Sequence, residues 1–250
     1  MKSTEWGQQA YAQVISEQPN QEILANLEAE AGALLEKSGT PEVRNGCLHV
    51  LALVAAARRD DERVNELYTC LFENTHDIQY LLQHTSINVK HGEWLLGQRR
   101  IEQLWHMAPD NLRSLNLIFT WSMLIGDYFR GQEIREQLLR LNSPDRANMT
   151  ATTSAWLELA ESGGLDRTEY IKRWEVAINT IYSAGLRPAG TATCRGSDNS
   201  LSLRFQCEAT VDQLVDIDFA IADAMVTSFN DPLSQYVTFA TIDKNGRQTQ

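Results

Sequence analysis

Residues 185–208 read GLRPAGTATCRGSDNSLSLRFQCE, and the pattern of apolar residues changes within this stretch. Upstream of it, apolar residues recur at the three- and four-residue spacing of amphipathic helices. Within it, every second residue from Leu201 to Cys207 is apolar, which is the period of a strand with one buried face. The sequence therefore predicts a helical array over residues 1–184 and a small α/β element over residues 185–250.

The C-terminal element is predicted to have the order strand, strand, helix, strand (ββαβ). Residues 191–195 and 201–208 form a hairpin, a helix covers 211–229, and a third strand covers 236–242. A three-stranded sheet with one helix leaves its other face bare. We expect that face to pack on the helical array near Trp174, to mediate dimerisation, or to leave an edge that receives a strand from a partner.

Capping residues and loop residues divide the helical array into short helices. Thr40-Pro41-Glu42 and Ser143-Pro144-Asp145 combine an N-cap residue, a proline for the first helical position and an acidic first turn. Asp166 and Glu169 have the spacing of a capping box. Brief connections place consecutive helices side by side as antiparallel pairs. We therefore predict a mainly α fold, an α-solenoid of helical hairpins.

One predicted helix pair carries a resemblance to a known repeat family. A tryptophan, a leucine, a glycine and a tyrosine occur at nearly the spacing of the first helix of a tetratricopeptide repeat: Trp121, Leu124, Gly126 and Tyr128. The resemblance covers about 25 residues. It implies a TPR-like array with a concave groove that holds a peptide or a partner helix.

The charge of the chain restricts its partners. The formal net charge is −11, with 43% hydrophobic and 22% charged residues, as in a folded globular protein. Binding to nucleic acid requires a basic surface that neutralises phosphates, so we expect no nucleic acid partner. An acidic surface favours a protein partner, in particular a basic one. The longest apolar run, residues 50–57, is too short to span a bilayer, so we expect no membrane.

Cysteine and histidine spacing gives no metal or redox motif. The cysteines lack CxxC spacing: Cys47, Cys70, Cys194 and Cys207. We expect a reduced, cytoplasmic protein with buried thiols and without a metal or another cofactor. His84 and His91 would share one helix only if it continued through residues 86–88, and the local polarity predicts a break there.

The predicted helix 211–229 contains a carboxylate on its apolar side. Three of its aspartates share a stripe that should face water: Asp212, Asp216 and Asp223. Asp218 lies opposite them, and a buried carboxylate needs a partner or has a raised pKa. It either pairs with an arginine or acts as an acid or base in a cleft, and pairing is favoured. The candidate arginines are Arg187, Arg195 and Arg204.

Taken together, these patterns predict a protein interaction module: an adaptor, a chaperone-like protein or a regulatory factor that holds a partner in the groove of the array. The candidate partner-binding residues are Trp6, Arg99, Arg100, Trp121 and Tyr128. One alternative is an acidic inhibitor or immunity-type protein that masks a basic partner. Another is an enzyme with a cleft between array and sheet, in which Asp218 takes part. Binding is favoured over catalysis, because no catalytic motif is assembled.

Overall fold

A computed structural model describes residues 2–37, 39–141, 154, 156–158, 160, 165–195, 200–230 and 237–244. The predicted helix start at Ser143-Pro144-Asp145 and most of the hairpin turn after residue 195 lie outside this part of the chain. The described residues fold as predicted into a mainly α protein that ends in a ββαβ element.

The helices with defined bounds are α1 (Lys2–Ile15), α2 (Gln21–Lys37), α3 (Pro41–Ala57), α4 (Asp61–Thr75), α5 (Ile78–His91), α6 (Trp94–Met107), α7 (Leu112–Ile125), α8 (Tyr128–Arg140), α9 (Arg167–Ser183) and α10 (Val211–Ser228). The strands are β1 (Gly190–Arg195), β2 (Leu201–Cys207) and β3 (Val237–Asp243). The chain divides into two compact units, Met1–Asn88 and Val89–Gln250. The predicted boundary between residues 184 and 185 lies inside the second unit.

The first unit is built around α3. This helix contacts α1, α2 and α4, and its buried residues occur on nearly every side: Cys47, Leu48, Val50, Ala52, Leu53, Val54, Ala55 and Ala56. A helix that is apolar all round is stable in water only when other elements cover it. Leu24 and Leu27 of α2 and Leu67 and Leu71 of α4 belong to the same buried cluster.

Side chains at the helix starts satisfy backbone N–H groups that have no partner within the helix. Asp166 accepts a hydrogen bond from the backbone nitrogen of Glu169 at 2.9 Å, which confirms the predicted start of α9. Thr210 and Gln213 form a capping box at the start of α10. Thr40 occupies the N-cap position of α3 with Pro41 as the first helical residue, as predicted, but its side chain makes no capping hydrogen bond.

The sheet has the order β1-β2-β3, with β1 and β2 antiparallel and β2 and β3 parallel. One face of the sheet carries the buried residues of β2, together with Phe239 of β3. Phe205 contacts Trp94 of α6, with ring centroids 6.1 Å apart, and Phe239 contacts Tyr170 of α9 at 5.8 Å. This face therefore lies against helices of the second unit, while dimerisation through the sheet stays a prediction.

Helix α9 holds the ends of other helices in the second unit. Trp174 donates its indole N–H to the carbonyl of Ile125 at 2.8 Å, and Tyr170 donates its hydroxyl to the carbonyl of Gly126 at 2.5 Å. Tyr182 donates to the carbonyl of Gly92 at 2.6 Å. The last carbonyls of a helix have no intrahelical partner, so these three donors satisfy buried acceptors near the ends of α5 and α7.

Three expectations from the sequence are wrong in detail. Helix α5 continues through residues 86–88 to His91, so His84 and His91 share one helix, and both are buried. The four residues of the tetratricopeptide resemblance do not lie on one helix, because Gly126 adopts φ 85° and ends α7. The thiols are not all buried: Cys70 is exposed and Cys194 is partly exposed.

Candidate functional site

The outer side of α10 carries a row of apolar side chains exposed to water. We call this row the α10 stripe, and it consists of Val211, Val215, Phe219, Ala222 and Val226. Phe219 is 69% exposed and Val226 is 73% exposed, the two largest values among the large hydrophobic residues of the described chain. Isolated exposed apolar residues are ordinary, whereas a contiguous row of them marks an interaction surface.

The stripe exists because α10 is apolar on two sides and is covered on only one. Its inner residues are buried against β3 and α9: Leu214, Ile217, Ile221 and Met225. At 3.6 residues per turn, the α10 stripe occupies an arc of about 80° next to this inner face. An isolated surface helix has polar residues on that side, so α10 is apolar over more of its surface than its contacts with β3 and α9 cover.

The α10 stripe has an acidic border. Asp212, Asp216 and Asp223 are exposed, as predicted, and lie beside the stripe on the side away from the sheet. Residues 211–228 contain no lysine, arginine or histidine. The border therefore presents negative charge that no cation of α10 compensates, next to an apolar surface, and this combination attracts positively charged groups.

Asp218 is half-buried and is held by β3. Its Oδ1 accepts hydrogen bonds from the backbone nitrogen of Thr241 at 2.6 Å and from the Thr241 hydroxyl at 2.8 Å. Burial raises the pKa of Asp218, while the hydrogen bonds from Thr241 and the charge of Arg204 oppose the rise. Because β3 is an edge strand, Asp218 gives an edge N–H group an acceptor.

The arginine partners expected for Asp218 are placed differently. Arg187 pairs with Glu93, with nitrogen and oxygen 2.6 Å apart, and its guanidinium lies over the ring of Tyr182. Arg204 acts on Asp218 through its charge, and Thr241 donates hydrogen bonds to Asp218. The side chain of Arg195 lies outside the described part of the structure. Thr241 therefore supplies hydrogen bonds to Asp218, and Arg204 contributes through its charge.

The predicted partner-binding residues differ in how much of each side chain is exposed. Trp121 and Tyr128 are 7% and 4% exposed, so little of either ring is available to a partner. Trp6 is partly buried against the core of the first unit. Arg99 is exposed, and the partly buried Arg100 donates to Gln103 at 3.0 Å. Partner binding stays a prediction for all five residues.

The second unit also encloses a charged network that the sequence did not reveal. Arg130 of α8 pairs with Glu102 of α6 and lies over the Trp105 ring, 3.9 Å from its centroid. Arg167 of α9 pairs with Glu102 and with the buried Asp127. Burial disfavours ionised Glu102, but hydrogen bonds from Arg130 and the charge of Arg167 outweigh it and lower the pKa of Glu102. The network joins three helices.

No local sequence pattern predicts this network, because its residues lie far apart in the chain. Asp127 is the exception in one respect, because it is also the N-cap residue of α8 and accepts from the backbone nitrogen of Arg130 at 3.2 Å. An aspartate after a helix-ending glycine is a signal for a cap. That signal predicts the start of α8, although it does not predict that Arg167 will pair with the same carboxylate.

A second polar cluster lies in the first unit, where histidine and tyrosine rings stack. Tyr68 and His84 are stacked with centroids 5.2 Å apart, and His84 contacts Asn65 at 2.6 Å. His49 lies edge-on to Tyr80 at 5.4 Å. Burial lowers the pKa of His49 and raises that of Tyr68, so both groups are held neutral. In the described residues, no three His, Cys, Asp or Glu side chains are grouped as metal ligands.

None of the helices in the described part of the chain combines the length and the apolar content needed to cross a lipid bilayer. In comparisons with known proteins, the chain matches no family model, no curated protein and no solved structure. The α10 stripe with its acidic border is therefore the feature from which we argue function. It is the largest exposed apolar row on one described element.

Proposed function

We propose that this protein acts by binding a partner protein and that the α10 stripe is the docking surface. The observation that carries the proposal is the exposure of Phe219 and Val226 in a continuous apolar row. Complete burial of one large apolar side chain contributes about 1.5–3 kcal/mol. Covering the α10 stripe therefore supplies a favourable free energy from several side chains at once, which is what a docking surface requires.

An adaptor, a chaperone-like protein and a regulatory factor would all use such a surface, and the proposal covers the three. A groove formed by the helical array is a second proposed location, for which Arg99 is an exposed candidate. The four cysteines are all unpaired, which favours a reducing compartment such as the cytoplasm. An inhibitor that masks a basic partner is a special case of the same proposal, and the acidic border favours it.

Site-specific photo-crosslinking in the native cell tests the proposal. Benzoylphenylalanine replaces Phe219 in one version of the full chain and Glu66, an exposed residue of α4, in a matched control. We expect a crosslinked species with a second protein from position 219 and none from position 66. The adduct should be lost when Val215 and Val226 are both changed to serine in the position-219 version.

Two results would contradict this proposal. Equal crosslinking from both positions would indicate non-specific encounters with the chain. The absence of any adduct at position 219, in cells where the protein is folded and expressed, would remove the docking surface. An adduct of twice the mass of the chain would favour a second copy and would support the alternative of a homodimer.

A further inference from the structure

The residues of the α10 stripe follow the pattern of a coiled-coil seam. Val215, Phe219, Ala222 and Val226 are separated by alternating steps of four and three residues. These steps are those between the d and a positions of a heptad, with Phe219 and Val226 at a and Val215 and Ala222 at d. Side chains in this arrangement pack into the spaces between the side chains of a second helix.

The acidic border occupies the positions that select a coiled-coil partner. In the same register, Asp216 and Asp223 directly follow the two d residues and stand at e. The e and g positions flank the apolar seam, and charges there determine partner choice and orientation. Both aspartates are exposed, and α10 carries no cation of its own to neutralise them.

A second copy of α10 would not satisfy these charges. In a parallel pair, the e residues face the partner's g residues, so Asp223 faces Asp218 and Asp216 faces Val211. In an antiparallel pair, the e residues face each other, so Asp216 and Asp223 would meet like charges. Either arrangement places carboxylates together without a cation, and like charges across a seam disfavour association. A helix with basic residues at these positions removes the conflict.

We propose that the α10 stripe docks a basic amphipathic helix from a different protein, a partner class that deepens the proposed function and rests on it. The partner helix places apolar residues against the seam and lysine or arginine against Asp216 and Asp223. The seam from Val215 to Val226 is about 17 Å long at 1.5 Å per residue. The partner segment therefore spans at least about three helical turns.

Two synthetic peptides of three heptads test the partner class with the full chain. Both have leucine at a and d and carry a fluorescent label, and they differ only in lysine or glutamate at e and g. Binding is followed by fluorescence anisotropy at low and high salt. We expect the lysine peptide to bind and the glutamate peptide to fail, with binding weakened by salt. Phe219→Ser should weaken binding of the lysine peptide about tenfold.

The decisive variant reverses the border, with Asp216→Lys and Asp223→Lys combined. It should bind the lysine peptide about tenfold more weakly and gain binding of the glutamate peptide. The matched control, Glu62→Lys with Glu73→Lys on α4, makes the same change in net charge at exposed sites. It should change the affinity of the lysine peptide by less than about twofold. If the reversed variant fails to fold, Asp216→Asn with Asp223→Asn should abolish the salt dependence.

Three outcomes would overturn the inference. An equal loss in the control pair would show that the lysine peptide responds only to the net charge of the chain. Unchanged peptide preference in the reversed variant would show apolar docking without charge selection. Binding of neither peptide, while position 219 still crosslinks a partner in cells, would exclude a basic helix and leave the proposed function standing. Loss of the crosslink as well would remove both.

Discussion

Helices α3 and α10 are both long and apolar, yet they differ in how much of each helix is covered by other elements. Helix α3 lies at the centre of the first unit, where α1, α2 and α4 cover it on nearly every side. Helix α10 packs on α9 and β3 with one side, and its other side is open to water. Apolar content alone therefore does not tell a fully covered helix from one with a bare apolar side, because the difference lies in how many neighbours the fold supplies.

The largest expected effect comes from a cavity in the covered helix. Leu53 of α3 is 1% exposed, so Leu53→Ala should lower the free energy of unfolding by about 3 kcal/mol. Urea denaturation followed by circular dichroism measures the loss. Val226→Ala on the bare side of α10 is the control and should cost less than about 0.5 kcal/mol. Equal losses would show that the two helices are covered alike.

A smaller loss of stability is expected when an ion pair in the charged network of the second unit is removed. Arg167→Met removes the cation that pairs with Asp127, whose side chain is 1% exposed. An unpaired buried carboxylate is costly, but water reaches the site when the partly exposed Arg167 is removed, so we expect a loss of about 2 kcal/mol. The unfolding midpoint in urea measures it. A loss no larger than that of an exposed-arginine control, Arg99→Met, would argue against a structural role.

Lowering the pH should remove the stability that ionised Glu102 contributes to the same network. The folded state lowers the pKa of Glu102 below its ordinary value of 4.5. Ionised Glu102 therefore contributes stability above that value, and the contribution is lost as the pH falls through the lower folded-state pKa. Glu102→Gln should destabilise the protein by about 1.5 kcal/mol at neutral pH, and by progressively less in acid. If the difference in stability between the unmodified protein and Glu102→Gln stayed constant down to about pH 3, a lowered pKa for Glu102 would be contradicted.

Replacing Asp218 of α10 by alanine should lower the free energy of unfolding by about 1 kcal/mol. Asp218→Ala leaves the backbone nitrogen of Thr241 without its acceptor, whereas Asp218→Asn keeps a carbonyl oxygen at that point. We therefore expect the alanine variant to be less stable than the asparagine variant in thermal unfolding. The reverse order would mean that Asp218 is strained in the fold and would make a chemical role in a cleft the better explanation.

The smallest expected effect on stability belongs to the α10 stripe itself. Phe219→Ser removes a side chain that is 69% exposed, so the free energy of unfolding should change by less than about 0.5 kcal/mol. The same variant should lose partner binding, which separates docking from folding. A large loss of stability would show that Phe219 is covered in solution, by a second copy or by another part of the chain.

Local signals in the sequence were sufficient to predict helices that begin with a capping residue and strands in which apolar and polar residues alternate strictly. Asp166 marks the start of α9, and the alternation from Leu201 to Cys207 identifies β2, because both signals involve neighbouring residues only. The break expected in α5 failed for the opposite reason. Ile87 and Asn88 are 3% and 1% exposed, so tertiary burial outweighs the weak helix preference of a polar stretch.

Sequence reasoning on the candidate site was correct in part. It placed Asp212, Asp216 and Asp223 on the water-facing side of α10, since helical periodicity fixes their common direction. It did not separate Phe219 from the core residues of the same helix. The signal was present, because α10 is apolar through more of its circumference than one packed face requires. Which apolar side stays bare depends on the positions of α9 and β3, and these are not local information.

The sequence by itself determined the mainly α fold, the ββαβ element, the secure helix starts and the acidic side of α10. These depend on spacing and capping, which act over a few residues. The tertiary structure alone decided that Trp121 and Tyr128 are buried, that Arg167 meets Asp127, and that one apolar side of α10 is left uncovered. Those outcomes depend on contacts between distant segments, and a contact between distant segments leaves no fixed spacing in the chain.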